Sequence, residues 1–202
     1  YAQESSINSY FRDNMYVFDG LDKIMQRNFF SNYATDLGVT SDDEFQIQEC
    51  NNQENGRFDC RYFQYHKGYL VEGSSFILHG QTGVVFYAGG NQIKNLNVNV
   101  ANPISEADAL AIILDSLAGN TFEWEVDSIL SGYREMLEDE SYSTLPKGDL
   151  LISKDPDEDY VADNYSLRWK FIIPIVYPIL QNVTVYVDAI TGDITSLQDS
   201  KD

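Results

Sequence analysis

Two histidines and two cysteines are the side chains best suited to metal binding or nucleophilic catalysis, and their spacing fits neither. A helical zinc motif sets two imidazoles four residues apart with a glutamate between them. His66 and His79 are not so arranged; both lie in glycine-rich strand-and-turn sequence and read as ordinary strand or surface histidines. Cys60 with His66 would make a nucleophile and base, but Cys60 is better placed opposite Cys50. Those cysteines flank the turn-rich stretch Asn51-Asn-Gln-Glu-Asn-Gly56, with strand-like sequence on both sides. A hairpin centred near Asn55 brings the sulfurs across from each other; two reduced, buried thiols are the alternative. Closing so short a loop contributes about 2.5–3 kcal/mol in the chain-entropy model, and implies an oxidising compartment. Carboxylates are abundant and an acid–base pair among them stays open, but nothing sets two in an apolar cleft. Glu138-Asp-Glu140 reads as a solvated face. Neither a phosphate-cradling Gly-x-x-x-x-Gly-Lys nor a dinucleotide Gly-x-Gly-x-x-Gly occurs. Asn182-Val-Thr184 fits a glycosylation acceptor but falls inside a strand pattern. No catalytic residue, metal ligand or cofactor site is assigned.

Composition narrows the class. The 202 residues suit one large or two small domains, and 43% hydrophobic with 13% aromatic residues can fill cores. A net charge of −19 argues against nucleic acid, which needs a Lys/Arg footprint, and against anionic lipid. The acidity either keeps the surface solvated or complements a basic partner. No apolar run approaches the ~20 residues of a membrane helix; the longest, Phe171-Ile-Ile-Pro-Ile-Val-Tyr-Pro-Ile-Leu180, is broken by two prolines. With Tyr1 first and no signal peptide in view, the chain is expected to be a mature or trimmed product, compatible with a removed export signal.

The elements that would position any site follow from periodicity. Residues 1–18 form a lead-in without clear pattern. Leu21, Ile24, Met25 and Phe29 recur at helical spacing, with Asp19 as cap and Leu37-Gly38 as stop. Residues 45–100 have the texture of strands and turns. His79-Gly-Gln-Thr-Gly83 reads as a tight connection, and Lys94-Asn-Leu-Asn-Val-Asn-Val100 alternates as a half-buried strand. Ser105 with Asp108 caps a helix whose stripe is Leu110, Ile113, Leu114 and Leu117. A second helix spans Val126 to Leu137, weakened at Gly132 by about 1 kcal/mol relative to Ala. Strands follow at 150–153, 167–175 and 183–187. A turn at Asp188-Ala-Ile-Thr-Gly-Asp193 leads to a last strand, 194–197.

The segment around Arg61, Tyr62, Gln64, Gly68, Val71, Gly73 and His79 resembles the signature of the fungalysin/thermolysin propeptide module, an Arg-aromatic-x-Gln strand followed by a Val-x-Gly step and a strand ending in a His turn. Leu70 departs from it, since the family often has proline there. Ile104-Ser-Glu-Ala-Asp-Ala-Leu110 looks like the opening helix of the PepSY module. Leu167-x-Trp169 and Val185-Tyr-Val-Asp-Ala-Ile-Thr-Gly-Asp-Ile194, with Asp188 and Gly192 in its turn, look like that module's closing hairpin. Phe122-Glu-Trp-Glu125 and Leu145-Pro-Lys-Gly-Asp-Leu150 are similar to pro-region segments of secreted thermolysin-like proteases.

The resemblance covers about residues 21–197. The expected fold is α+β in two lobes joined near residues 101–104, each a twisted antiparallel sheet packed by one or more helices. The parts are a lead-in (1–18), a propeptide-like domain (19–100) and a PepSY/cystatin-like domain (101–202). The resemblance implies a non-catalytic pro-region, secreted or periplasmic, that inhibits and assists folding of a zinc metallopeptidase catalytic domain in cis or in trans. A free-standing inhibitor or interaction module is the alternative. The partner-contacting segment is expected in the tail, at Asp193, Ile194, Leu197 and Asp199. Trp169 and Tyr186 supply contact area there or belong to the core.

Overall fold

The computed structural model describes residues 15–18, 24–154 and 164–199. The fold is α+β, built from two antiparallel sheets in two compact units, Tyr1–Asn97 and Val98–Asp202. Asp19, Leu21, nearly all of the lead-in and the acidic stretch 155–159 lie outside the described residues.

The first unit carries strands β1 (Met15–Val17), β2 (Asp43–Asn52), β3 (Arg57–His66), β4 (Tyr69–Leu70), β5 (Ser75–Gln81) and β6 (Val84–Asn91), and helices α1 (Phe29–Asn32) and α2 (Ala34–Leu37). Its sheet runs β1-β6-β5-β3-β2, with β4 folded back on β3. β3 alternates strictly: Phe58, Cys60, Tyr62, Gln64 and His66 are buried, while the residues between them are partly or fully exposed. The short helices lay Phe29, Tyr33 and Leu37 on that buried face, against Phe58, Tyr62, Phe76 and Leu78. Phe30 stacks on Phe45 with ring centroids 4.0 Å apart. Each large side chain so buried contributes about 1.5–3 kcal/mol.

Three local expectations are corrected. Within the described residues, the stretch anticipated as helix from Leu21 has a bridge at Met25 and a single 3-10 turn at Gln26–Asn28 before it becomes α-helical at Phe29, because residues 24–26 pair elsewhere. Val85 N–H donates to Ile24 O, Gln26 N–H donates to Gly83 O, and Met25 bridges Val84. The helical stretch then breaks at Tyr33 and stops at Gly38 (φ +65°), where an added Cβ would press on the Lys94 side chain at 3.0 Å. The alternating stretch from Lys94 to Val100 belongs to no strand, although Leu96 and Val98 are buried. Period-two burial reports which side chains face inward, not whether the backbone has a ladder partner, and Asn95 at φ +55° breaks the extended line. His79 lies inside β5; the turn is Thr82-Gly83, both at positive φ.

The second unit holds α3 (Glu106–Ser116), β7 (Thr121–Phe122), α4 (Asp127–Leu137), β8 (Asp149–Lys154), β9 (Tyr165–Tyr177), β10 (Gln181–Asp188) and β11 (Ile194–Asp199). Ser105 caps α3: its Oγ accepts from Asp108 N–H at 3.1 Å and donates to Asp108 Oδ2 at 2.7 Å. α3 buries Ala109, Ile113 and Leu117 on Phe171, Ile173, Val183 and Val185. The sheet runs β11-β10-β9-β7, with β8 also on β9. The 13-residue β9 pairs β10 along one edge, while β8 and β7 share the other at opposite ends.

Two glycines give opposite expectations. A Cβ at Gly148 would overlap the ring of fully buried Phe171, so Gly148→Ala is expected to cost about 1–3 kcal/mol. Gly132 sits inside exposed α4 with open space around it, so Gly132→Ala is expected to stabilise by about 1 kcal/mol. Urea midpoints of the two variants, moving in opposite directions from the parent, check both.

Candidate functional site

Of the motif residues of the first unit, Gly68, Val71 and Gly73 serve Gln64, while Arg61, Tyr62 and His79 lie elsewhere. An amide carries two donors and two acceptor lone pairs, and burying it without partners is costly. Gln64 is fully buried. Its Nε2 donates to Asp43 Oδ1 and to Ile93 O, both at 2.9 Å, and its Oε1 accepts from Ile93 N–H at 2.9 Å. Its backbone N–H donates to Ser74 Oγ at 3.0 Å, and its carbonyl accepts from Val71 N–H at 2.9 Å. Gly68 (φ +85°) and Gly73 (φ +77°) turn the chain at both ends of the arm that brings Val71 and Ser74 to that strand. Leu70 is half-buried in β4 and pairs with Tyr65.

Asp43 links Gln64 to His66, whose Nδ1 is 3.0 Å from the same carboxylate; both side chains are 1% exposed. Burial pushes the Asp43 carboxyl up, but hydrogen bonds from Thr40, Gln64 and His66 outweigh it and hold the group below its ordinary value. The two histidines therefore do not meet. His66 is held by Asp43, and His79 by Asp59. Neither carboxylate partner was legible before the strand register was known. Among the described residues no three His, Cys, Asp or Glu side chains gather as a metal-holding set, and no helix is long and apolar enough to cross a membrane.

Cys50 and Cys60 are directly opposed on β2 and β3 and form a disulfide. Gln26 Nε2 donates to Tyr62 Oη at 2.9 Å and lies 3.2 Å from Cys60 Sγ. Burial raises the Tyr62 phenol, with the Gln26 bond partly opposing it. Arg61 is exposed on the other face, opposite Glu49 and Ile77.

In the second unit, Asp188 Oδ1 accepts from Ile190 N–H and Thr191 N–H at 2.8 Å, and Gly192 takes φ +81°. Trp169 Nε1 donates to Ile104 O at 3.0 Å, and its ring packs with the core. Tyr186 is buried. Both aromatics thus serve the interior. Asp193 accepts from Thr191 Oγ1 at 2.7 Å. Ile194 packs on the core, Leu197 is exposed beside Val185, and Asp199 pairs with Val183. Over Ile194–Asp199 the expected tail is an edge strand of the sheet.

One exposed apolar patch lies at the β9–β10 connection; Ile47, Met136 and Leu145 are exposed elsewhere. Tyr177, Ile179 and Leu180 are 64%, 65% and 81% exposed, and Ile172 is 53% exposed. Pro178 follows Tyr177 through a cis bond. β11 runs toward this end, since Asp199 pairs with Val183, two residues from the start of β10. The sequence marks this run as apolar but too short for a membrane; its exposed end follows from where β9 leaves the core.

The chain matches no protein-family model and no curated protein. Among solved structures it is similar to the YpeB C-terminal domain of Bacillus megaterium, at 12% identity and TM-score 0.36, over 89% of this chain and 67% of that one. A likeness at that TM-score carries no weight here.

The Gln64 cluster makes a pH prediction. A carboxylate whose folded pKa is depressed contributes stability that is present above its unfolded pKa, about 3.9, and lost as pH falls through the folded value. Asp43→Asn is therefore expected to lower stability at neutral pH and to flatten its decline in acid, read as urea midpoints between pH 7 and pH 2. Gln64→Leu, which strands Asp43 and Ile93, is expected to cost about 2–4 kcal/mol. Replacing both cysteines with serine is expected to cost about 2.5–3 kcal/mol. Thiol titration of the denatured, unreduced parent is expected to find no free thiol.

Proposed function

We propose that this chain is a non-catalytic protein-binding module, and specifically a pro-region that restrains and helps fold a secreted zinc metallopeptidase. The observation that carries the reading is the exposed apolar end of the β9–β10 hairpin. Tyr177, Ile179 and Leu180 stand clear of the core in a chain of net charge −19; apolar surface presented this way commonly marks an interaction site. β11 delivers the chain to the same end, with Leu197 exposed along it. A partner seated on the tip would also meet the end of β11 around Asp199. The ordered motifs from Arg61 to Gly192 supply the metallopeptidase in this reading, and the Cys50–Cys60 bridge favours an exported, oxidising setting. A thermolysin-like enzyme keeps an open position on its zinc, and inhibition requires only that the cleft leading to it be covered.

Deleting the tail would strip β11 from β10, so point changes give the cleaner test. The purified chain is expected to inhibit its cognate metallopeptidase in trans and to leave a trypsin-like serine protease untouched. Ile179→Asp with Leu180→Asp is expected to weaken that inhibition about tenfold or more, with an unchanged circular dichroism spectrum. Undiminished inhibition by the folded double variant would remove the hairpin tip from the interface. Neither inhibition nor refolding assistance by the parent would overturn the pro-region reading.

A further inference from the structure

The first unit contains a cleft that the reading above does not use. It encloses about 400 Å³ and is lined by Arg57, Phe58, Asp59, His79, Phe86 and Tyr87, among others. Asp59 and His79 face each other across β3 and β5, and the Asp59 carboxylate holds His79 Nδ1. With Nδ1 engaged, Nε2 is the ring nitrogen left for a ligand. The pair is not sealed in: its side chains are 42% and 44% exposed.

The backbone beside it is specialised. Between His79 and Gly80 the β5–β6 ladder shifts register, a bulge of the kind that re-aims a side chain. Gly80 permits it, since a Cβ there would strike Val84 O and the Phe58 ring. Phe58 can therefore lie against the strand as one apolar wall, with Phe86 and Tyr87 as others. Arg57 is exposed at the same cleft, and its guanidinium forms no ion pair among the described residues. An uncommitted guanidinium is notable in a chain with 32 acidic residues and 13 basic ones.

We infer that this cleft binds a carboxylate attached to an aromatic or apolar body, with Arg57 and His79 on the carboxylate and the Phe58, Phe86 and Tyr87 rings around the body. Arg57 offers a planar fork of donors matched to a carboxylate. With Asp59 against Nδ1, the His79 ring turns its Nε2 edge to the ligand. Asp59 orients the ring and repels an anion lodged directly against it, so the ligand sits toward Arg57. The site is built from first-unit residues alone, shares none with the hairpin tip, and stands or falls independently of the proposed function.

The test is a titration of the whole chain with N-acetyl-L-phenylalanine, its amide, and inorganic phosphate, followed by calorimetry and by the His79 ring resonances. The acid is expected to bind saturably and to move the His79 signals. The amide is expected to bind about tenfold more weakly or worse, and Arg57→Gln to lose a similar factor for the acid with an unchanged circular dichroism spectrum. A peptide Ala-Ala-Phe with a free carboxyl is the second arm. Tighter binding than the acetylated amino acid identifies a peptide terminus as the ligand, equal binding a small organic acid, and both uphold the site. Equal binding of acid and amide, phosphate binding as tightly as the acid, unmoved His79 signals, or full affinity in Arg57→Gln would each overturn it.

Discussion

An amide buried inside a β-sheet has to find its hydrogen bonds locally, and the first unit is arranged around finding them for Gln64. Its side chain draws in Ile93 from beyond β6 and Asp43 from the start of β2, and its backbone is met by Val71 and Ser74. Three separate stretches of chain are tied to one residue of β3. Because a half-satisfied buried network is worse than an apolar core, the arrangement tolerates little displacement of any one stretch. Asp43 extends it to His66 and Thr40, and its carboxylate is the charged member whose ionisation the other bonds favour.

The second unit is organised by length. β9 is long enough to serve β8 near one end and β7 near the other, while β10 covers most of its opposite edge. α3 closes the inner face with small and branched side chains, and the Asp188 turn is fastened to the residues before α3 by Ile104 N–H on Ala189 O at 2.8 Å. The far end of the β9–β10 hairpin stays uncovered, where the apolar run outlasts the core it was filling.

Much of this plan is legible in residue patterns. Alternation in β3, β9 and β10, the Ser105 cap, the Asp188 turn and the Cys50–Cys60 hairpin each rest on a local rule that tertiary contacts do not contradict. The misreadings fall where local and distant demands compete. Ile24 and Met25 have helical spacing with Phe29, but a neighbouring hairpin offers their backbone partners. Lys94 to Val100 alternates because Leu96 and Val98 face inward, yet the stretch joins neither sheet. For the site, Gln64 was recognisable as a motif position, but its partners lie 21 and 29 residues away, and no spacing rule connects them. His79 is legible as a motif position, but its carboxylate partner and cleft appear only once the register across β3 and β5 is set.

The position of the disulfide has a mechanical meaning. The bridge sits near the closed end of the β2–β3 hairpin, with a sequence separation of 10 between the cysteines. Tension applied along the chain can peel the edge strand from its Asp43 end, but the opening front halts at Cys50. The backbone enclosed by the bridge never bears load. About 34 Å of contour stays hidden from an extending force and is released only when the sulfur–sulfur bond is reduced. Chemical reduction therefore changes how far this unit can be stretched as well as how readily it yields.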